Sequence, residues 1–275
     1  MHTRPVRPTQ LLASIAALGL VAVAAAGCSA TLATTQAPEI TGTVGANGAR
    51  PTEDEWRREA ATWGERYRAN PNEPQAAIRY AQALRSTGQR AQAAAVLERA
   101  SIEHPRNTDL LGAYGRALAD VGNYKQALEV LSRAHQPDQP DWRILSAQGA
   151  VLDQMGRHAE AQRYYTTALK IVPDEPSVLS NLGLSYALAK ELPKAEETLR
   201  RATEMKSNDP RVRANLALVV GLQGRFDEAE SIARADLPPE TAAANVAYLK
   251  QMLSQPNDWK KLANPSPTDK AKSKS

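Results

Sequence analysis

Ala93, Ala127, Ala161, Ala195 and Ala229 stand 34 residues apart, and no other property of this 275-residue chain limits its fold so tightly. A second small-residue series keeps the same step: Ala81, Gly115, Gly149, Gly183 and Ala217. A third, Ala100, Ala134, Ala168 and Ala202, runs for four repeats and fails at Asp236. A large side chain travels with them at Leu97, Leu131, Tyr165 and Leu199. Self-similarity at a fixed period of roughly 20–50 residues marks a chain built of stacked units, each too small to bury its apolar face alone.

The third unit, "WRILSAQGAVLDQMGRHAEAQRYYTTALKIVP", gives the anatomy. Leu145, Gly149 and Leu152 fall on one face of a first helix, and Ala161, Tyr165 and Ala168 on one face of a second. Gly156 breaks the chain between them, and Pro173 ends the second helix because proline cannot continue one. The small residues belong where two helices approach too closely for a large side chain. Units 1, 2 and 5 carry the turn glycine at Gly88, Gly122 and Gly224; unit 4 has Lys190, which predicts a slightly different turn. Only 5% of residues are aromatic, with a single Phe, which disfavours a β-sandwich and suits closely packed helices.

This pattern resembles the tetratricopeptide repeat (TPR), a helix-turn-helix unit of 34 residues. Five are counted, beginning at Pro74, Thr108, Trp142, Pro176 and Pro210. The expectation is an all-α TPR superhelical solenoid of five repeats over residues 74–238. Ahead of it, within 53–73, "EDEWRREAATWGERYRANP" places Trp56, Ala60, Trp63 and Tyr67 on one face of a capping helix. Behind it, within 239–263, "PPETAAANVAYLKQML" places Val246, Leu249 and Leu253 together as a closing helix. End units need such caps because their outer faces have no neighbour. A polar tail over 264–275 reads as disordered.

The single cysteine, Cys28, lies just behind the apolar run "LLASIAALGLVAVAAA" and a start that carries Arg4 and Arg7. Basic residues followed by a short apolar run are the layout of an export signal, here over 1–27; the run is short of the roughly 20 residues that span a bilayer. Cleavage after Ala26 by ordinary signal peptidase fits "AAA". "AAGC", from Ala25 to Cys28, resembles a bacterial lipoprotein signal, with Ala25 where Leu is usual. That resemblance implies diacylation of Cys28 and cleavage before it, and several acyl chains anchor stably where one does not. Ser29 stands where Asp commonly retains such proteins at the inner membrane, so the resemblance implies the outer membrane, on its periplasmic face. Residues 28–52 are rich in Ala, Thr and Gly and read as the lipidated cysteine and a flexible tether, about 80 Å long when taut at ~3.3 Å per residue and roughly 27 Å relaxed. Net charge is +4, or +2 without Arg4 and Arg7, which gives no reason to invoke nucleic acid.

Aligned on the small-residue series, one pair of groove positions reads Gln82 and Ser86, Arg116 and Asp120, Ala150 and Gln154, Leu184 and Leu188, then Leu218 and Leu222. The groove is thus expected to be polar at its N-terminal end and apolar at its C-terminal end. The four leucines form a candidate surface for an amphipathic partner helix, unless the closing helix folds over them. Asn181 and Asn215, on the same edge, could hold a partner's backbone or carboxylate. The four histidines, His2, His104, His135 and His158, form no nucleophile, base and acid set and no metal-ligand spacing, so no catalytic residue, metal or cofactor is expected. His158 takes a turn position where an aromatic is usual, and packing accounts for it.

"NLGLSYALAKELPKAEETLRRA", "VRANLALVVGLQGRFDEAESIARADLPPETAAANVAYLKQML" and "QPNDWKKL", spanning residues 181–262, resemble the TadD proteins, TPR lipoproteins of the tight-adherence (Flp) pilus machinery. The resemblance implies a non-enzymatic scaffold with protein partners, helping the pilus secretin reach or assemble in the outer membrane. No small-molecule substrate is implied. Organising peptidoglycan enzymes, or assisting insertion of outer-membrane β-barrels, is the alternative on the same scaffold.

Overall fold

The structure, a computed structural model, describes residues 51–135, 138–205 and 209–254. The leader, Cys28, most of the tether, the "QPNDWKKL" segment and the tail lie outside the described residues. Twelve helices and no strand are found within them: α1 (Glu53–Ala69), α2 (Pro74–Ser86), α3 (Arg90–Glu103), α4 (Thr108–Asp120), α5 (Tyr124–Arg133), α6 (Trp142–Gln154), α7 (His158–Ile171), α8 (Pro176–Leu188), α9 (Leu192–Glu204), α10 (Pro210–Leu222), α11 (Phe226–Ala233) and α12 (Pro239–Ser254). From α2 to α11 they pair as five hairpins in chain order, each packed against the next. None of the described helices is long and apolar enough to cross a membrane.

Local chemistry sets the boundaries. Proline opens α2, α8 and α10, where its missing N–H costs nothing. Side chains of Asn107, Asp141 and Asp209 cap α4, α6 and α10 by accepting backbone N–H bonds. Thr52 and Glu55 form a capping box at the start of α1.

Within each hairpin the small-residue series holds the helices together. A Cβ on Gly115 would lie 2.5 Å from Leu131, one on Gly149 2.7 Å from Tyr165, and one on Gly183 2.6 Å from Leu199. Each pair is one first-helix residue and the large residue sixteen positions later. The third series breaks at Asp236 for a plain reason. By then α11 has ended, and Asp236 pairs with Arg213 instead of packing between helices.

The five turns are alike, which corrects the expectation for Lys190. Its φ is +65°, against +78°, +81°, +73° and +83° at Gly88, Gly122, Gly156 and Gly224. The residue after it closes the same backbone bond, Glu191 N to Tyr186 O at 2.9 Å, as Arg157 N to Leu152 O at 2.9 Å. This left-handed closure satisfies helix-terminal carbonyls strongly enough to hold a lysine in a conformation that costs an L-residue roughly 1–2 kcal/mol. The two end helices pack as caps, with Gly64 of α1 against Tyr80 and Leu249 of α12 over Gly221. Val246 packs against the same C-terminal core, but Leu253 is exposed and does not share that face.

Lys190→Gly should therefore stabilise the fold by about 1 kcal/mol, offset in part by the freer unfolded chain. Urea titration followed by circular dichroism is the measurement; an unchanged or lowered midpoint contradicts the account of this turn.

Candidate partner-binding groove

The face that a partner could line follows from which helices touch. Successive first helices are in contact, α2 with α4, α4 with α6, α6 with α8, and α8 with α10. No comparable contact joins successive second helices among the described residues. First helices therefore sit on the tighter, concave side. The expected groove positions belong to these first helices.

At its N-terminal end Arg85 of α2 is paired with Asp120 of α4, across the seam between repeats 1 and 2. Arg116 lies half-buried near them. Burial, followed by the neighbouring Arg85 cation, lowers its pKa to about 10. These charges are engaged with one another, so this end offers less free charge than its residue types suggest.

In the middle, Asp153 is a hub. Its side chain is only 8% exposed, and it accepts from His158 Nδ1 at 2.8 Å, Ser185 Oγ at 2.8 Å and Tyr165 Oη at 3.1 Å. Ser185 belongs to the following repeat, so this carboxylate bolts repeat 3 to repeat 4. Burial and the Asp153 charge push the Tyr165 hydroxyl far above its ordinary range, which keeps it a donor. Ser, His and Asp thus do converge, although the sequence showed no such set. The order is wrong for catalysis, because the serine donates to the carboxylate and not to the imidazole, leaving no base on the hydroxyl. Among the described residues no group of three His, Cys, Asp or Glu could hold a metal.

At the C-terminal end α8 carries Leu184 and Leu188, and α10 carries Leu218 and Leu222. Leu188 is 56% exposed and Leu218 42% exposed, so α12 leaves both uncovered; Leu184 and Leu222 are half-buried beside them. Asn181 and Asn215 hold the stack together here. Asn181 Nδ2 donates to Ser146 Oγ at 3.2 Å, and Asn215 Nδ2 to Ser180 Oγ at 2.9 Å, each bond joining a first helix to the one before. Sequence reasoning missed both serines. Their signal was available, since Ser146 and Ser180 are 34 apart and lie one position short of the asparagine column.

Behind the leucines, Glu196 accepts from Arg225, Gln223 and Arg200, and Arg200 and Arg225 also pair with Glu228. Those bonds, the one from Arg225 foremost, hold the Glu196 carboxyl down at about 2.

Family models match most of the repeat region. Residues 57–134 match the model described as anaphase-promoting complex, cyclosome, subunit 3, and residues 154–219 and 210–235 match two models of the tetratricopeptide repeat. The repeats are TPRs. Solved TPR-like structures share the architecture. PilW, described as a widely conserved type IV pilus biogenesis factor, aligns with a TM-score of 0.61 at 16% identity over 70% of this chain and 91% of its own. The Cut9–Hcn1 hetero-tetramer of APC/C aligns with a TM-score of 0.57 at 16% identity over 72% of this chain, which spans 40% of that one. A thermophilic TPR protein of Thermus thermophilus aligns with a TM-score of 0.55 at 24% identity, over 64% of this chain and 99% of its own. At these identities the likeness is one of fold. No curated protein sequence matches the chain significantly. The TPR stack is thus a protein-interaction scaffold.

Two outcomes follow for its seams. Asp153→Ala strands three donors and should cost about 3 kcal/mol by urea unfolding, far more than the same change at exposed Asp138. For Glu196, whose folded pKa lies below its ordinary 4.5, the sign is that of a depressed carboxyl. Its contribution is complete above about pH 4.5 and is lost as pH falls toward 2. Glu196→Gln should flatten the acid limb of thermal stability between those values; an identical acid limb in wild type and variant refutes the assignment.

Proposed function

We propose that this TPR protein is a lipid-anchored scaffold of the outer membrane that serves assembly of a tight-adherence pilus, by holding a segment of the pilus secretin while that protein reaches or assembles in the membrane. The observation that carries the reading is the resemblance of residues 181–262 to TadD proteins, in stretches such as "IARADLPP" and "QPNDWKKL" that a generic TPR does not require. Two features support it. Cys28 follows an export-type leader in the context of a lipoprotein signal, and a tether separates it from the first helix. Leu188 and Leu218 stand exposed beside Leu184 and Leu222, an apolar strip suited to one face of an amphipathic helix, with Asn181 and Asn215 along its edge. PilW's pilus role is its own; the likeness gives this chain only the fold.

The parts work together physically. An acylated Cys28 confines the stack to a thin layer at the membrane, where a weakly binding groove meets its partner at high effective concentration. No step of this task requires bond making or breaking by the chain.

The test is a strain lacking the gene, its membranes separated by density and probed for the detergent-resistant secretin multimer. The multimer should vanish or move to the inner membrane, and wild type should restore it while Cys28→Ser does not. Leu188→Glu with Leu218→Glu should leave stability within about 0.5 kcal/mol, since both side chains are exposed, yet fail to restore the multimer. A secretin that stays multimeric in the outer membrane of the deletion strain overturns the reading and directs the scaffold to peptidoglycan enzymes or β-barrel assembly.

A further inference from the structure

The seventh position of each repeat lies between three helices, and four repeats fill it with a large side chain. These are Tyr80, Tyr114, Leu182 and Leu216; repeat 3 has Gln148. Tyr114 shows how the space is used. It is 5% exposed, its hydroxyl accepts from Gln126 Nε2 of α5 at 3.3 Å, and it hydrogen-bonds Glu98 of α3. Tyr80 repeats the arrangement one unit earlier, its hydroxyl accepting from Gln92 Nε2 at 3.0 Å.

At Gln148 that space is left open. A crevice of about 290 Å³ lies there, with Leu128 and Ser132 of α5, Leu152 of α6, and Glu160 and Tyr164 of α7 among its walls. Ser132 and Glu160 are the one-period counterparts of Glu98 and Gln126, the two groups that receive the Tyr114 hydroxyl. Gln148 lines the crevice and is 5% exposed; its Oε1 has no hydrogen-bond partner and is turned away from the open space. A buried amide oxygen without a donor is costly, so the crevice has a specific requirement: a neutral donor at the end of a flat apolar body. It is neutral because Arg157 and Glu160 at the rim already satisfy each other through two bonds of 2.7 Å.

We infer that this crevice binds a tyrosine side chain presented by a partner polypeptide, its ring against Leu128, Leu152 and Tyr164 and its hydroxyl donating to Gln148 Oε1 after a turn of the side-chain amide brings that atom to the crevice. A side chain is favoured over a free small molecule by size, since small-molecule sites start at roughly 300 Å³ and usually run well above it. Tyrosine is favoured because the fold already places tyrosines in this same position in repeats 1 and 2. The crevice opens between the second helices α5 and α7, away from the leucine strip. It is independent of the pilus reading, and its test fails or succeeds without it.

The experiment titrates the full chain in detergent micelles, methyl- and amide-labelled, with N-acetyl-tyrosine amide and with N-acetyl-phenylalanine amide. The tyrosine probe should shift the Leu128 and Leu152 methyls and the Gln148 side-chain amide, and bind about tenfold more tightly than the phenylalanine probe, the worth of one hydrogen bond to a buried acceptor. Gln148→Leu, which copies the side chain found at Leu182 and Leu216, should erase that preference. Gln148→Tyr should fill the space, raise the thermal midpoint and abolish binding of both probes. Equal binding of the two probes, shifts confined to other residues, or a lowered midpoint for Gln148→Tyr would overturn the inference.

Discussion

The close approach of first and second helices at Gly115, Gly149 and Gly183 is the contact on which the other features depend. There is no room for a methyl group between these backbones and Leu131, Tyr165 and Leu199. Hairpins 2, 3 and 4 are therefore locked at one separation and one rotation, and Ala81 and Ala217 admit no more than a methyl group at the same place in hairpins 1 and 5. A solenoid needs that uniformity, because each unit contacts only its neighbours and a misplaced helix would propagate along the stack. With the hairpins fixed, every later position in a repeat faces a predictable direction, and the leucines at Leu184, Leu188, Leu218 and Leu222 fall into one strip. The turn at Lys190 shows how firm the lock is. Hairpin geometry imposes on a lysine the left-handed backbone that the four glycines at the same place adopt without strain.

The columns of the stack were legible in the sequence, whereas the bonds between columns were not. A period of 34 states which residues are equivalent, and from it came the five units and the leucine positions, whereas the flanking helices were read from their own apolar faces. It does not state which residues are adjacent across a seam. The seam contacts run at other separations: 35 for Asn181 with Ser146, Asn215 with Ser180, and Arg85 with Asp120, and 32 for Ser185 with Asp153. These offsets reflect the small shift and rotation of one hairpin on the next, a three-dimensional quantity with no counterpart in periodicity. For that reason Asn181 and Asn215 read as ligands for a partner when each already has a serine, and nothing in the sequence marks Asp153, on which three donors converge. Gln148 was invisible for the opposite reason. Its meaning lies in what its column holds elsewhere, a bulky side chain, and in the space that is left without one.

The seams also differ in kind along the stack, and the difference bears on mechanics. The first is an arginine–aspartate pair beside a half-buried Arg116, the third a carboxylate hub, and the fourth an asparagine–serine bond backed by the Glu196 cluster. Apolar packing alone would let hairpins slide on one another, since it is non-directional. A hydrogen bond to a buried group is directional, and breaking it strands its partner, so each such seam resists sliding and opening. The repeats bearing the leucine strip are thus held on both sides: the Asp153 hub from the N-terminal end, and the Asn215 bond and the ion-pair cluster from within. A groove that holds its shape before binding loses less conformational entropy when a partner arrives.

Between repeats 2 and 3 the solution is different, and the consequence is functional. Gln148 supplies neither the ring that Tyr114 provides nor the branched chain of Leu182, and the hairpins stay in place around the space because the small-residue contacts fix them independently. A repeat protein can leave one such position underfilled without losing its fold, because each hairpin is held by contacts of its own. The two surfaces proposed for recognition then face different ways, an apolar strip on the first helices of repeats 4 and 5 and a single socket between the second helices of repeats 2 and 3. Neither surface has to displace the other's occupant. A partner that reaches both is held by the product of two weak sites, and one that reaches only one is released quickly. Selectivity in such a scaffold comes from the spacing between sites, which the same 34-residue geometry sets.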